Sequence, residues 1–211
     1  MRPRASALLV DLDGTLRHWD PEVEHGIELT HGLKPGALKA TAMDWSRLMP
    51  AIIGEITHAE WVGVVATDLA DETGDPAGAR AAVEEWQSYR GEVDLALLAL
   101  IREARESGVR VGLATNATDQ LQPDLDLLGL AAEFDAVVNS SVLRIPKPAP
   151  EYFGAACLAL RTRPDHVLFV DDSDRFIRGA RAAGLSAHRW TGPADIPYIR
   201  AALDLAPTPN R

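Results

Sequence analysis

The chain has 211 residues, of which 46% are hydrophobic, and it carries a formal net charge of -10. This length accommodates one domain with a sizeable insertion, and the composition supplies a substantial core. An acidic chain without runs of Lys or Arg is poorly suited to a phosphate backbone, so we expect no nucleic-acid partner. Cys157 is the only cysteine, which excludes an intrachain disulfide and a cysteine-based metal site.

The first predicted element is a strand over residues 7–10. The run Ala-Leu-Leu-Val is too short for a helix and too uniformly apolar for a half-exposed strand, so it suits the centre of a parallel sheet. Asp11 and Asp13 follow it directly, at the end of the strand where open α/β sheets bind ligands. The alternative is that these residues only form a turn, in which Asp and Gly are common.

The amino terminus does not predict a signal peptide or a membrane segment. It begins with the basic stretch Met-Arg-Pro-Arg, but Asp11 interrupts the following apolar run too early for a signal sequence. No segment approaches the roughly 18 apolar residues that suggest a membrane span. We therefore expect a cytoplasmic protein without a membrane partner.

Residues 17–91 have a helical pattern. A helix is predicted from Lys34-Pro35 to about Met43, a second over residues 61–69 after the capping-box pair Thr57 and Glu60, and a third over residues 79–89. Tryptophan and methionine at helical spacing are more often interior packing than a cofactor site, which is the prediction for Met43, Trp45, Met49, Trp61 and Trp86.

Strands and helices alternate after Gly91. Strands are predicted over residues 109–114, 136–139, 166–170 and 186–189, and helices over residues 93–106, 119–128, 150–160, 174–183 and 194–203. This alternation implies right-handed crossovers and a mostly parallel α/β sheet. Residues 206–211 are expected to be loose.

Polar residues at four predicted strand ends carry the candidate chemistry. Asp11 is a candidate nucleophile, ionised at neutral pH, and Asp13 suits a general acid and base. Thr115 and Lys147 could contact the oxygens of a phosphoryl group. Asp171 and Asp172 supply the hard oxygen ligands that Mg²⁺ prefers.

Each of the candidate residues after Asp13 also has an explanation that involves structure alone and no chemistry. Thr115 could cap a strand end, Lys147 could be a solvated loop lysine, and Asp171 with Asp172 could favour a helix macrodipole. Their occurrence in order, each after a predicted strand, favours a shared site.

The four pieces together resemble the motifs of the haloacid dehalogenase superfamily. The corresponding stretches are Asp11-Leu-Asp-Gly-Thr15, Ala114-Thr115-Asn116, Lys147-Pro148 and Val170-Asp171-Asp172-Ser173. The resemblance implies a Rossmann-like, doubly wound parallel sheet core with an inserted helical cap of type 1. Residues 1–16 and 92–211 would form the core, and residues 17–91 the cap.

The same resemblance implies a Mg²⁺-dependent phosphatase that forms an aspartyl-phosphate. Asp11 would be the nucleophile and Asp13 the acid and base. Thr115, Asn116 and Lys147 would hold the phosphate. Asp11, the Asp13 backbone carbonyl and Asp172 would bind Mg²⁺, with Asp171 as a further acid of the metal site.

Two departures from the family pattern bear on the alternatives. Phe176 stands where many members carry Asp or Asn, so an outer metal or water ligand is missing unless Asp174 replaces it. Val23 stands where β-phosphoglucomutase has His, which disfavours the phosphomutase alternative.

Asp13 disfavours a dehalogenase, in which this position is usually aromatic. A non-catalytic binding or scaffolding protein would have little need of the complete set.

The predicted partner is a small phosphorylated metabolite. A cap that closes over the strand ends excludes water and leaves a bounded space for the leaving group, as for a sugar or glycolate-type phosphate. Four cap residues are candidates for substrate specificity: His18, Arg47, His58 and Arg90. Each could instead be a solvated surface side chain.

Overall fold

A computed structural model describes residues 4–205 of the chain; residues 206–211, predicted to be loose, lie outside this range. The strands are β1 (Ala7–Val10), β2 (Arg17–His18), β3 (Glu92–Val93), β4 (Arg110–Thr115), β5 (Ala136–Asn139), β6 (Val167–Asp171) and β7 (Ser186–Arg189). The helices are α1 (Pro21–Thr30), α2 (Ala37–Ala42), α3 (Trp45–Ile52), α4 (His58–Thr73), α5 (Pro76–Ser88), α6 (Leu95–Glu106), α7 (Leu121–Leu127), α8 (Ser140–Leu143), α9 (Pro150–Ala159), α10 (Asp174–Ala182) and α11 (Ile196–Ala202).

The central sheet is parallel, in the order β5-β4-β1-β6-β7. The first strand therefore lies between β4 and β6, and its four residues are fully buried. Parallel neighbours end at the same edge of a sheet, so Asp11, Thr115 and Asp171 come together. This arrangement confirms the predicted adjacency of the three strands.

Helices cover both faces of this sheet, as a doubly wound fold requires. Leu8 and Val10 pack on the face covered by α6, α7 and α11, whereas Ala7 and Leu9 pack on the face covered by α9 and α10. Alternate residues of β1 thus serve two cores, which explains why the strand is uniformly apolar. Cys157 is buried in the second core. The predicted Rossmann-like α/β fold is confirmed.

The segment between β2 and β3 is helical and has a hydrophobic cluster of its own. Val65 and Leu69 of α4 are fully buried there beside Trp61 and Trp86. The prediction of interior packing is wrong for two of its members, since Met43 is 46% exposed and Trp45 45% exposed. Helical spacing predicts that residues lie on one face of a helix, but it does not predict how far along that face the hydrophobic cluster extends.

The inserted helices contact the loops that follow the sheet strands. A Cβ atom on Gly54, just after α3, would lie 2.3 Å from the Ser141 carbonyl oxygen beyond β5. The His58 ring lies 3.0 Å from the Thr118 hydroxyl beyond β4, and the Trp45 ring faces Arg175 beyond β6. The helical segment therefore lies over the carboxyl edge of the sheet, as expected.

The second helix begins later than predicted, at Ala37 rather than near Lys34. Gly36 has φ of +82°, a left-handed conformation that closes a turn before the helix. The buried Glu28 carboxylate accepts hydrogen bonds from the backbone N–H groups of Gly36 at 2.7 Å and Leu38 at 3.0 Å. A side chain from another helix therefore provides the cap.

A short antiparallel pair joins the inserted segment to the core. The strands β2 and β3 pair through Arg17 with Val93 and His18 with Glu92. The helix predicted from Val93 therefore begins at Leu95, where Asp94 accepts hydrogen bonds from the N–H groups of Ala96 and Leu97. Within residues 4–205, none of the helices combines the length and apolarity needed to cross a bilayer.

Candidate active site

A buried ion-pair group forms at the carboxyl end of β1. The Lys147 ammonium donates hydrogen bonds to Asp11 Oδ1 and to Asp171 Oδ2, both at 2.7 Å. Lys147 is 1% exposed, Asp171 is fully buried, and Asp11 is 5% exposed. The alternative of a solvated loop lysine is therefore wrong, because Lys147 bridges two of the strand-end carboxylates.

This environment shifts the pKa of the nucleophile candidate. Burial raises the pKa of Asp11 to about 7; the Lys147 charge opposes this effect and the neighbouring Asp171 adds to it. Burial alone would lower the pKa of Lys147, but the two carboxylates outweigh it and the pKa is raised. The sequence predicted a free carboxylate at this position but does not reveal the burial that raises its pKa.

The raised pKa of Asp11 predicts a pH-dependent stability. Its pKa is about 7 in the folded protein against 3.8 as the ordinary value, so between these values the folded state binds more protons and stability falls as pH rises. Asp11→Asn should therefore gain stability relative to wild type, and the gain should grow from pH 5 to pH 8 by on the order of 2 kcal/mol.

Urea unfolding in EDTA at both pH values measures this gain, with the exposed Asp71→Asn as the matched control. An equal effect of Asp11→Asn at pH 5 and pH 8 would contradict a raised pKa at this residue.

Asp172 approaches the same group from the end of β6. Its backbone N–H donates to Thr15 Oγ1 at 3.1 Å, which ties the loop after β6 to the loop after β1. Gly14 has φ of +85°, and a Cβ atom there would lie 2.5 Å from Asp172 Oδ2. Glycine is therefore required at this position both for the turn and for the approach of the carboxylate.

Three carboxylates converge here in a way that suits a divalent cation. Asp11, Asp171 and Asp172 each offer an oxygen, and these atoms lie within 4.8 Å of one another. The pKa of Asp172 is raised by burial and by the neighbouring Asp171 charge, which is the repulsion that a cation would relieve. Hard oxygen donors of this kind suit Mg²⁺. The donor set and the space left by Gly14 thus fit the predicted metal.

The three acids are not equivalent. Asp171 Oδ2 accepts from Lys147, and Asp171 Oδ1 accepts from the Ser173 backbone N–H at 2.8 Å. Both of its oxygens therefore already have donors, whereas Lys147 contacts Asp11 through Oδ1 alone. This leaves Asp11 Oδ2 and the Asp172 carboxylate as the more available oxygens.

Asp13 is held separately, by a residue that sequence reasoning missed. Arg17 donates from Nε to Asp13 Oδ1 at 2.7 Å and from Nη2 to Asp13 Oδ2 at 3.0 Å, and Trp19 Nε1 also donates to Oδ1 at 2.7 Å. The third guanidinium nitrogen of Arg17 donates to Asp124 Oδ2 at 2.8 Å. The signal in the sequence was an arginine directly after the apolar Leu16, four residues beyond Asp13.

Asn116 fixes the backbone of Lys147. Its Nδ2 donates to the Lys147 carbonyl at 3.1 Å, and its Oδ1 accepts from the Lys147 N–H at 2.8 Å. A phosphate contact by Asn116 would therefore come from its backbone N–H. Thr115 lies beside it and is 1% exposed, at the end of β4.

Phe176 lies against the lysine of the site. The Lys147 ammonium is 4.8 Å from the centroid of the Phe176 ring, within cation–π range. Asp174, the suggested replacement, is exposed and lies 3.3 Å from Arg189 Nη1. The aromatic ring thus contributes to the surroundings of Lys147, and Asp174 is paired with Arg189 instead.

A cavity of about 310 Å³ separates the inserted helices from the sheet edge. Asp13 and Asn116 line it on the sheet side. Of the four specificity candidates, His58 and Arg90 line this cavity. His18 instead pairs with Asp94, and Arg47 pairs with Asp68, so neither contributes to the lining.

With the fold and the strand-end residues established, the comparisons identify the class of protein. A haloacid dehalogenase-like hydrolase family model matches residues 5–184. The chain belongs to this family of hydrolases.

Relatives at the sequence level include named phosphatases. The chain is 33% identical to a phosphoserine phosphatase of Thermus thermophilus, over 61% of this chain and 55% of that protein. It is 27% identical to a phosphoglycolate phosphatase of Thiobacillus denitrificans, over 84% of this chain and 79% of that protein. The chain thus spans about half of the first relative and about four fifths of the second.

Solved structures share the fold. A family enzyme of Bacteroides thetaiotaomicron in complex with magnesium and inorganic phosphate has a TM-score of 0.68, 22% identity, and coverage of 88% of this chain and 93% of that one. An L-2-haloacid dehalogenase of Xanthobacter autotrophicus has a TM-score of 0.64, 22% identity, and coverage of 97% and 85%. At these identities the likeness concerns the fold alone.

Proposed function

We propose that this hydrolase is a Mg²⁺-dependent phosphatase of small phosphate monoesters. The observation that carries the proposal is the group of three carboxylates around the single ammonium of Lys147. Such an excess of negative charge beside a bound dianion would be strongly unfavourable without a cation.

Asp11 and Asp172 would hold the cation, together with the Asp13 backbone carbonyl. When bound, Mg²⁺ would supply Lewis-acid stabilisation of the phosphoryl oxygens. Asp171 lies within the same group, and its contacts with Lys147 and Ser173 suit it to position the lysine as well as to add charge.

Asp11 and Asp13 have different roles in the reaction. The Asp11 carboxylate attacks phosphorus, the bond to the leaving oxygen breaks, and Asp13 gives that oxygen a proton. Asp13 then removes a proton from water, which attacks the aspartyl-phosphate and releases phosphate and free Asp11. Hydrogen bonds from Arg17 and Trp19 fix the orientation of the Asp13 carboxylate, which is the form that accepts the proton from water.

The phosphate would contact Thr115, the Asn116 backbone and Lys147. The hydrogen bonds between the Asn116 amide and the Lys147 backbone hold these two loops at a fixed distance before substrate binds. This preorganisation lowers the cost of stabilising charge during phosphoryl transfer.

Residues 17–91 would act as the cap, and residues 1–16 and 92–211 as the core. The cavity lies between them and has the volume of a small-molecule site rather than of a groove for a polymer. Small phosphorylated metabolites are therefore the proposed substrates.

A substrate panel tests the proposal. Phosphate release from small phosphate monoesters is measured with Mg²⁺ or with EDTA, beside chloride release from 2-chloropropionate and turnover of a phosphopeptide. We expect phosphate release that depends on Mg²⁺. Chloride release without phosphate release would replace this proposal with a dehalogenase, isomerisation of a sugar phosphate without phosphate release would indicate a mutase, and preference for the peptide would contradict cap closure.

A further inference from the structure

The cavity begins at the acid and base of the proposed reaction. Asp13 lines it, whereas Asp11 and Lys147 are buried and are not part of the lining. A phosphate at Asp11 would present its leaving oxygen to Asp13, so the rest of the leaving group would extend into this cavity. Its shape and chemistry therefore bear on the alcohol part of the substrate.

Large apolar side chains form the wall contributed by the inserted helices. Trp61 and Trp86 lie edge to face, with ring centroids 5.9 Å apart, and Met43, Leu48 and Ile52 extend the same wall. A two-carbon alcohol would leave most of the 310 Å³ filled with water against these surfaces. Trp61, Trp86 and Ile52 are already buried, so the apolar surface left for a ligand belongs chiefly to Met43 and Leu48. A ring system would cover that surface and could adopt the edge or offset contacts that aromatic side chains favour.

The charged side chains of the cavity balance one another. Three are basic and three are acidic: Arg17, Lys39, Arg90, Asp13, Glu24 and Asp124. All three nitrogen positions of the Arg17 guanidinium are already bonded to Asp13 and Asp124. The lining therefore has no net positive charge to attract a carboxylate on the leaving group, as in phosphoglycolate or phosphoserine.

Of the remaining polar groups of the lining, His58 is paired, whereas the Trp61 and Trp86 indole N–H groups are buried without a hydrogen-bond partner among the described residues and could donate to a heteroatom of a ring. His58 Nε2 lies 2.6 Å from Gln87 Oε1, and His58 Nδ1 lies 3.0 Å from the Thr118 hydroxyl. Burial lowers the pKa of His58, against the opposing effect of the Gln87 hydrogen bond, which favours the neutral imidazole. Neutral groups of this kind tolerate an uncharged ring better than an additional anion.

We infer that the leaving group is an uncharged, flat, largely apolar ring system attached through an alcohol carbon. This inference rests on the proposed function and narrows its small phosphate monoesters to those with a ring-bearing alcohol. The substrate class is thus the phosphate monoester of an aryl or heteroaryl methanol.

The test compares esters whose leaving alcohols have similar acidity, so that chemistry does not mask binding. Values of kcat/KM are measured for 2-naphthylmethyl phosphate, benzyl phosphate, ethyl phosphate and phosphoglycolate with Mg²⁺. We expect 2-naphthylmethyl phosphate to exceed ethyl phosphate by about 100-fold, with benzyl phosphate between them. Preference for phosphoglycolate or ethyl phosphate would overturn the inference and leave the phosphatase proposal standing.

A variant that fills the cavity tests whether the preference for ring-bearing esters arises there. Leu48→Trp should remove most of the advantage of 2-naphthylmethyl phosphate while ethyl phosphate is still hydrolysed, and Met43→Trp provides a second variant at a half-exposed position. The control is Leu29→Trp, at a residue that is 75% exposed and outside the lining. An unchanged preference in both cavity variants would overturn the inference.

A binding measurement separates this inference from the proposed function. Calorimetry with the non-hydrolysable 2-naphthylmethyl phosphonate and ethyl phosphonate should show tighter binding of the former by a similar factor. Tighter binding without hydrolysis of any ester would refute the phosphatase proposal but support the ring-binding cavity. Equal binding of the two phosphonates would overturn the inference whatever the turnover.

Discussion

Asp11→Asn should reduce the hydrolysis of any phosphate monoester by at least about 1000-fold, because it removes the attacking carboxylate oxygen. The substitution preserves size and leaves Lys147 paired with Asp171, so the fold should be retained. Steady-state phosphate release, with circular dichroism to check folding, measures the effect.

The exposed Asp71→Asn on α4 is the matched control and should have wild-type activity. Wild-type turnover of Asp11→Asn would refute covalent catalysis at this residue. Loss of activity in the Asp71 variant as well would assign the effect to the general charge of the protein rather than to the site.

Removal of the metal should have an effect of comparable size. EDTA should abolish turnover and Mg²⁺ should restore it, because one ammonium cannot offset three carboxylates and a phosphate dianion. Asp172→Ala should resemble metal removal and should also weaken Mg²⁺ binding measured by calorimetry. Asp174→Ala offers a neighbouring control, since Asp174 is exposed and close to Arg189.

Full turnover in EDTA would contradict the proposed role of the cation. Equal Mg²⁺ affinity in the Asp172→Ala and Asp174→Ala variants would contradict the assignment of Asp172 as a ligand.

The parallel core could be predicted because its signals are local. Residues 7–10 are apolar at every position, and the strands predicted at residues 136–139 and 186–189 have the observed bounds. Interactions between short segments that are distant in the sequence leave no comparable local pattern of apolar residues. The two-residue strands β2 and β3 pair across 74 residues, and Glu28 caps a helix to which it does not belong.

The sequence predicted which residues meet at the candidate site but not their environment. The strand-end motifs identified Asp11, Thr115, Lys147 and Asp171, which the fold brings together. The pKa of Asp11 depends on burial, and the Arg17 contact with Asp124 joins residues 107 positions apart. Both properties arise only when the tertiary structure forms, so a single sequence without structural information does not reveal them.

The most direct test of phosphoryl transfer through Asp11 is to trap the intermediate. Asp13→Asn retains the nucleophile but lacks the base that activates water, so mixing it with p-nitrophenyl phosphate and Mg²⁺ should accumulate a phosphoenzyme. Acid quenching, borohydride reduction and peptide mass spectrometry should locate the modification at Asp11, and the Asp11→Asn, Asp13→Asn double variant should remain unmodified. Modification at another residue, or continued nitrophenol release by the double variant, would contradict the account.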